Sequence, residues 1–357
     1  MTSEEFLLST KLYLPPGRSG LVPRPRLMAL LNEGLTRPLT LISAPAGFGK
    51  TTLLSEWHAS EAGKTFPMAW LSLDGDDNNL SRFLAYLTAT AGTLQTGIGE
   101  TALAALQSQQ PPPPEVLLTS LINDLNAFHA PFALVLDDYH VITSLGVHKA
   151  IHFLLDHLPP QMHLILLTRA DPPLPLARLR ARNQLTEIRA PELRFLPEEA
   201  AQFLNEMMEL ELSAEDIVAL ENRTEGWIAG LLLTALSLRQ QNDKHAFVTA
   251  FTGNDRYIMD YLLEEVLQRQ PPEVQAFLLK TSILERLCSP LCAAITGEPE
   301  SQTMLASLEE ANLFLEPLDN QRFWYRYHNL FSDLLRRRLC LAMELPDLIS
   351  LYRRACA

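Results

Sequence analysis

Residues 43 to 53 read SAPAGFGKTTL, and how that stretch is read decides the fold of the first half of the chain. An apolar run from Leu39 to Ile42 precedes it, and Leu53, Leu54 and Trp57 come after it at helical spacing, so it joins a strand to a helix. Glycines at 47 and 49 let successive main-chain N–H groups turn inward as an anion nest. Lys50 then offers a point charge to the β- and γ-phosphates of a nucleotide, and Thr51 offers a hydroxyl to Mg²⁺. The stretch fits the phosphate-loop pattern G-x-x-x-x-G-K-[ST], with Ala44 in place of the first glycine and Ala46 and Phe48 inside the loop.

A second segment, Phe132 to Asp138 (FALVLDD), is an apolar strand that ends in two carboxylates. Such a strand delivers Asp137 to the edge of a sheet beside the loop, where it holds Mg²⁺ through water, and leaves Asp138 to orient or deprotonate an attacking water. Leu164 to Thr168 is another apolar strand, with Arg169 directly after it. A guanidinium there either reads a γ-phosphate bidentately or pairs with a neighbouring carboxylate, and the spacing leaves both open. Asp77, Asn78 and Asn79, after the strand Met68 to Leu73, are read as caps of the next helix rather than as metal ligands.

With Ala133 to Leu136 and Leu185 to Ile188, these strands alternate with helix-length segments, which predicts βαβ units on a parallel sheet. The tract Gln110 to Pro114 interrupts the pattern as a stiff surface connection. Beyond about Pro191 the pattern turns helical. Pro197 opens one helix, Ser213 caps a second that Gly226 stops, and Trp227 to Leu238 forms a third. Residues 313 to 328 read as a hairpin turning at Asp319 and Asn320.

The bulk numbers narrow the classes. At 357 residues the chain exceeds the roughly 250 to 300 that one core organises, and 47% of its residues are hydrophobic, enough to bury more than one core. No apolar run reaches the roughly 18 residues needed to span a bilayer, and the first residues lack the basic start of a signal peptide, so a cytoplasmic protein without membrane partners is expected. A net charge of −13 argues against a nucleic-acid backbone held by this chain unaided. The short basic clusters Arg178 to Arg182 and Arg336 to Arg338 are read as solvated helix faces or internal ion pairs. Cys288, Cys292, Cys340 and Cys356 show no zinc-ligand spacing and are read as reduced thiols.

Taken in order, APAGFGKTTL, WLSLDGDDNN, LVLDDYH, LLTR, LARLRARNQL, LRFLPEEAAQFL, TEGWIAGL and YRYHNLFSDLLRRRL resemble the MalT-like regulators, large LuxR-type transcription factors of the STAND class of signal-transduction ATPases. The resemblance implies an α/β P-loop NTPase domain with a parallel sheet at 1–190, an α-helical domain at 191–242, a winged-helix domain at 243–345 and the start of a helical arm at 346–357. It implies ATP or ADP with Mg²⁺ as cofactors, with Ala46, Gly47, Phe48, Gly49, Lys50, Thr51 and Thr52 at the phosphates and Val22 and Arg24 near the adenine. Asp137 falls at Mg²⁺, Asp138 in hydrolysis, and Arg169 at the γ-phosphate. His328, at the end of an aromatic strand, matches a winged-helix histidine that reaches the β-phosphate of ADP.

The resemblance also implies a switch: ADP holds a closed form, ATP with an inducer favours self-association, and slow hydrolysis resets it. Inducer and DNA would be bound by C-terminal domains of such regulators, and the winged helix, which lacks a basic face, would read nucleotide state. Two departures stand out. Gly226 precedes Trp227 where the wider class places Gly-x-Pro against the base, and Ala44 replaces a loop glycine. The residues by themselves also admit a P-loop ATPase or kinase with the Arg178 to Arg182 cluster as a lid, or a passive scaffold that binds nucleotide for stability.

Overall fold

The computed structural model describes residues 7–16, 20–251 and 255–355. The first residues and Cys356 lie outside that range. The chain divides into two compact units: Met1–Ser19, Arg24–Ala44 and Lys50–Leu193 form the first, and Gly20–Pro23, Pro45–Gly49 and Arg194–Ala357 the second.

In the first unit, β1 (Leu39–Ser43), β2 (Met68–Ser72), β3 (Phe132–Asp137), β4 (Met162–Thr168) and β5 (Leu185–Arg189) form one sheet in the order β2-β3-β4-β1-β5. Every pairing is parallel, as the alternation of strands and helices predicts. Every residue of β1, β3 and β4 is buried, the pattern of central strands covered on both faces. Leu71, Leu134, Leu136, Leu164 and Leu166 share one core with Phe83, Leu87, Leu118, Leu121, Ile151 and Leu154. Ser43 pairs in register with Thr168 and Ser72 with Asp137, so the polar residues that end these strands come to the same edge of the sheet. Helix α1 (Lys50–Ala59) starts directly after the phosphate-loop stretch.

Two connecting segments carry caps as expected, with one addition. Asn79 accepts the Arg82 amide at 3.1 Å and caps helix Leu80–Gly92. Asp77, fully buried, accepts the Asp74 amide at 2.8 Å and pairs with the Lys11 ammonium, which sits 4.4 Å over the Tyr86 ring. The acidic run therefore fastens residues around Lys11 to the sheet unit. Pro114 occupies the first turn of helix Pro114–Asn126, where its missing N–H costs nothing, and residues 110–113 stay outside helix.

The second unit is mostly helical. Helix Pro197–Ala201 widens into a π turn over Gln202–Met207; α2 (Ala214–Thr224) and α3 (Ile228–Leu238) come next. Ser213 caps α2 by accepting the Asp216 amide at 3.1 Å. Its C-terminus is closed by Glu225 in the left-handed region, φ 50°, with Gly226 at φ 69° behind it. Later in the unit β6 (Leu315–Pro317) and β7 (Tyr325–Tyr327) pair antiparallel and lead into α4 (Asn329–Ala342). The connection is longer than a tight turn: the Asp319 carboxylate gathers the amides of Gln321, Phe323 and Trp324.

Candidate nucleotide site

In the sheet unit the site begins with Lys50. Its side chain is buried and its Nζ donates to the Ala44 carbonyl at 2.8 Å. Burial, reinforced by the Arg169 charge and opposed by Asp138 and Asp137, lowers the Lys50 pKa to about 8. Asp137, at the end of β3, accepts the Thr51 hydroxyl at 2.9 Å and the Asp138 amide at 2.8 Å. Burial and the neighbouring Asp138 carboxylate raise it to about 6 despite those donors and Lys50. A cation and an acid are thus both pushed toward neutrality in one corner, which is the electrostatic state of a site built for an anion and its counter-ion.

Asp138 is held at φ 56° and its half-exposed carboxylate stands 3.7 Å from His140 Nδ1. Arg24 is buried and donates to the Leu193 carbonyl at 3.3 Å. Arg169 lies close enough to Lys50 to depress it. Among the described residues no group of three or more His, Cys, Asp or Glu side chains gathers to hold a metal. Thr51 and Asp137 fit Mg²⁺ in the way that ion is usually held, by one carboxylate and a hydroxyl with phosphate oxygens and water completing the shell.

Residues Pro45–Gly49, from the same loop, group with the second unit. Gly47 and Gly49 adopt φ 78° and 75°, which only glycine holds without strain. A Cβ on Gly47 would lie 2.6 Å from the Ala229 Cβ and 2.8 Å from Trp227 Nε1. Ala44 is absent from the left-handed positions, which explains why the first glycine of the pattern is dispensable here. The fully buried Trp227 donates from Nε1 to the Ala46 carbonyl at 3.0 Å, and the Ala229 amide donates to the Gly47 carbonyl at 3.1 Å. Two loop carbonyls in succession are therefore fixed by the start of α3. Phe48 is buried, 6.2 Å from the Phe314 ring, and Val22 is buried too.

His328, the residue before α4, is 1% exposed and lies edge-on to Trp227 and Phe314, with ring centroids at 6.0 and 5.6 Å. Its Nε2 meets the Thr224 carbonyl at 3.0 Å, and its Nδ1 is buried with no hydrogen-bond partner among the described residues. Burial, partly offset by Glu225, lowers its pKa to about 4. An orphaned polar atom in a buried aromatic corner is the kind of group a ligand satisfies.

Sequence reasoning missed two features. Trp227 as a loop-binding donor was visible only as a departure from Gly-x-Pro. The second is an ion network: Arg326 grips Glu225 with two nitrogens at 2.8 and 2.6 Å and Glu316 at 2.7 Å, while Arg194 contacts Glu316 and approaches Glu225 at 3.7 Å. Burial would raise Glu225, but Arg326, His328 and the Asn329 amide hold it down to about 2. Arg178 and Arg180, two of the three arginines in the cluster that the sequence left open as a lid, form internal ion pairs with Asp156 and Glu187. Arg336 donates to the Ser282 carbonyl at 2.8 Å. Cys288 and Cys292 are buried free thiols and Cys340 is an exposed one. No described helix is long and apolar enough to cross a membrane.

These features define a P-loop NTPase fold joined to a winged-helix segment. The same fold is seen in a Walker-type ATPase of Pyrococcus abyssi, which aligns at TM-score 0.62 and 17% identity over 91% of this chain and 99% of its own. Residues 263–348 match the MalT winged helix domain. Along 96% of its length the chain is similar to the HTH-type transcriptional regulator MalT, 38% identical to that of Serratia proteamaculans and 37% to that of Yersinia pestis. The resemblance to MalT-like regulators is thus not confined to the winged helix. The chain spans 38% of the length of those relatives.

Proposed function

We propose that this chain is the nucleotide-operated switch of a MalT-like transcriptional regulator, and that it holds ADP in a closed resting form and ATP in a form that self-associates. The observation that carries the reading is the pair of bonds from Trp227 and Ala229 to the carbonyls of Ala46 and Gly47. A phosphate that reshapes the loop must alter those bonds, so it binds the two forms with different affinity, and differential affinity is what moves a conformational equilibrium.

In this reading the N–H groups of Gly47 and Gly49 with Lys50, Thr51 and Thr52 take the phosphates, Thr51 and Asp137 hold Mg²⁺, and Arg169 meets the γ-phosphate. Val22 and Arg24 lie toward the base and His328 toward the β-phosphate of ADP. When bound, the metal would neutralise phosphate charge; Asp138 would orient the attacking water, and hydrolysis would be slow and regulatory. The helical domain is assigned to 191–242 and the winged-helix domain to 243–345. Inducer and DNA are assigned to the regions of the longer relatives that this chain does not match.

The test is to denature the purified protein, identify any released nucleotide by chromatography, and track mass after exchange into ATP with Mg²⁺. Stoichiometric ADP and an ATP-driven rise in mass are expected. An empty monomer that turns ATP over faster than roughly 1 s⁻¹, the lower end of ordinary enzyme rates, would make the protein a turnover enzyme instead.

A further inference from the structure

We propose that His328 grips the nucleotide as an imidazolium, taking up a proton at Nδ1 as a phosphate arrives, with the Glu225 carboxylate as its counter-charge. The inference deepens the switch reading and rests on it.

Hydrogen bonding fixes the tautomer of the ring. The Thr224 carbonyl 3.0 Å from Nε2 can only accept, so Nε2 carries the hydrogen of the neutral ring and Nδ1 is a bare lone pair. A phosphate oxygen is also an acceptor. Two facing acceptors repel, so Nδ1 engages a phosphate only after gaining a proton, unless the ring abandons Thr224. Losing that buried bond would strand the carbonyl.

The charges around the ring favour the first route. Trp227 and Phe314, packed edge-on to it, carry none. The charged groups that bear on it are Glu225 at the end of α2, Arg194 ahead of that helix and Arg326 on β7. Glu225 alone of these stabilises an imidazolium, and its carboxylate is fixed by Arg326 at 2.8 and 2.6 Å and by the Asn329 amide at 3.0 Å. At rest, burial outweighs Glu225 and the ring stays neutral, down to about 4. An arriving phosphate adds the missing negative charge. The ring's pKa is therefore low in the free protein and higher in the complex, so binding takes a proton from solvent, and this contribution to affinity is lost as pH rises through the pKa of the complex.

The test is calorimetric titration of ADP into nucleotide-free protein in buffers of different ionisation enthalpy, for the natural chain, His328→Ala and Glu225→Gln. The natural chain is expected to take up between about half and one proton more than His328→Ala, and Glu225→Gln to lose much of that excess with ADP affinity about tenfold weaker, within the usual range of coupling between groups. If His328→Ala weakens ADP but takes up as many protons as the natural chain, the proton linkage is overturned and the clamp survives. If His328→Ala leaves ADP affinity unchanged, the clamp itself is wrong and the linkage falls with it. Should the variants fail to fold, the ¹⁵N imidazole resonances of the natural chain decide: an Nδ1 signal that moves to the protonated position on adding ADP supports the proposal, and one that stays at the bare-nitrogen position overturns it.

Discussion

The corner around Lys50 and Asp137 and the corner around His328 are both buried and polar, yet they are built differently. The first comes from two contiguous motifs placed side by side by a parallel sheet, and burial draws its acid up to about 6 and its base down to about 8. The second is assembled from Thr224, Glu225, Trp227, Phe314, Arg326 and His328, and it keeps a fully ionised carboxylate beside a neutral imidazole. Contiguous motifs bring reactive groups to a sheet edge; packing between remote segments sets the protonation of groups that no motif contains.

The sharpest way to break the comparison is Trp227→Ala. Removing a fully buried indole from the second corner is expected to cost about 3–5 kcal/mol of stability, the range for large aromatic truncations, read by chemical denaturation. Trp227→Phe, which keeps a ring and loses only the donor to Ala46, is expected to cost about 1 kcal/mol.

Stability against pH in the absence of nucleotide separates the corners by sign. Asp137 is raised, so the folded protein binds the extra proton and stability falls as pH rises from about 4 to about 6. His328 is lowered, so the unfolded chain binds the extra proton and stability rises as pH goes from about 4 to about 6.5. Each effect is on the order of 3 kcal/mol at 1.36 kcal/mol per pKa unit. Asp137→Asn should make the net slope over this window more positive and His328→Ala more negative; the same slope in all three proteins would refute both assignments.

Lys50→Ala tests the first corner alone. The fold should survive, since burial already disfavours the lysine's charge and lowers its pKa to about 8, while nucleotide affinity falls roughly ten- to two-hundredfold, equivalent to the loss of about 1.5–3 kcal/mol for a hydrogen bond to a charged group. Equilibrium binding of a fluorescent nucleotide measures it. The smallest effect belongs outside both corners: Arg180→Ala, which removes an exposed pair with Glu187, should change stability by less than about 1 kcal/mol and leave nucleotide binding alone.

The first corner was legible because each of its two motifs is contiguous in sequence and strand alternation is a local signal. Lys50, Thr51 and Asp137 lie where the two motifs place them, and each strand falls within two residues of its expected ends. The bonds from Trp227 to Ala46, 181 residues apart, and from Arg326 to Glu225, 101 apart, leave no periodic trace. Glu225 looked like an ordinary residue before a stop glycine, and Arg326 like the polar member of an alternating strand.

By itself, then, the sequence determined the parallel sheet, the glycine-bearing loop ahead of Lys50 with the acid Asp137 that ends β3, and the passage from strands to helices at about residue 191, because hydrophobic periodicity and glycine stereochemistry act over a few residues. The tertiary structure alone decided that loop carbonyls are held by Trp227 and Ala229, that Glu225 is a fixed anion, and that His328 is neutral with a bare Nδ1. Those properties depend on desolvation and on donors brought together from distant segments, and both exist only once the chain has packed.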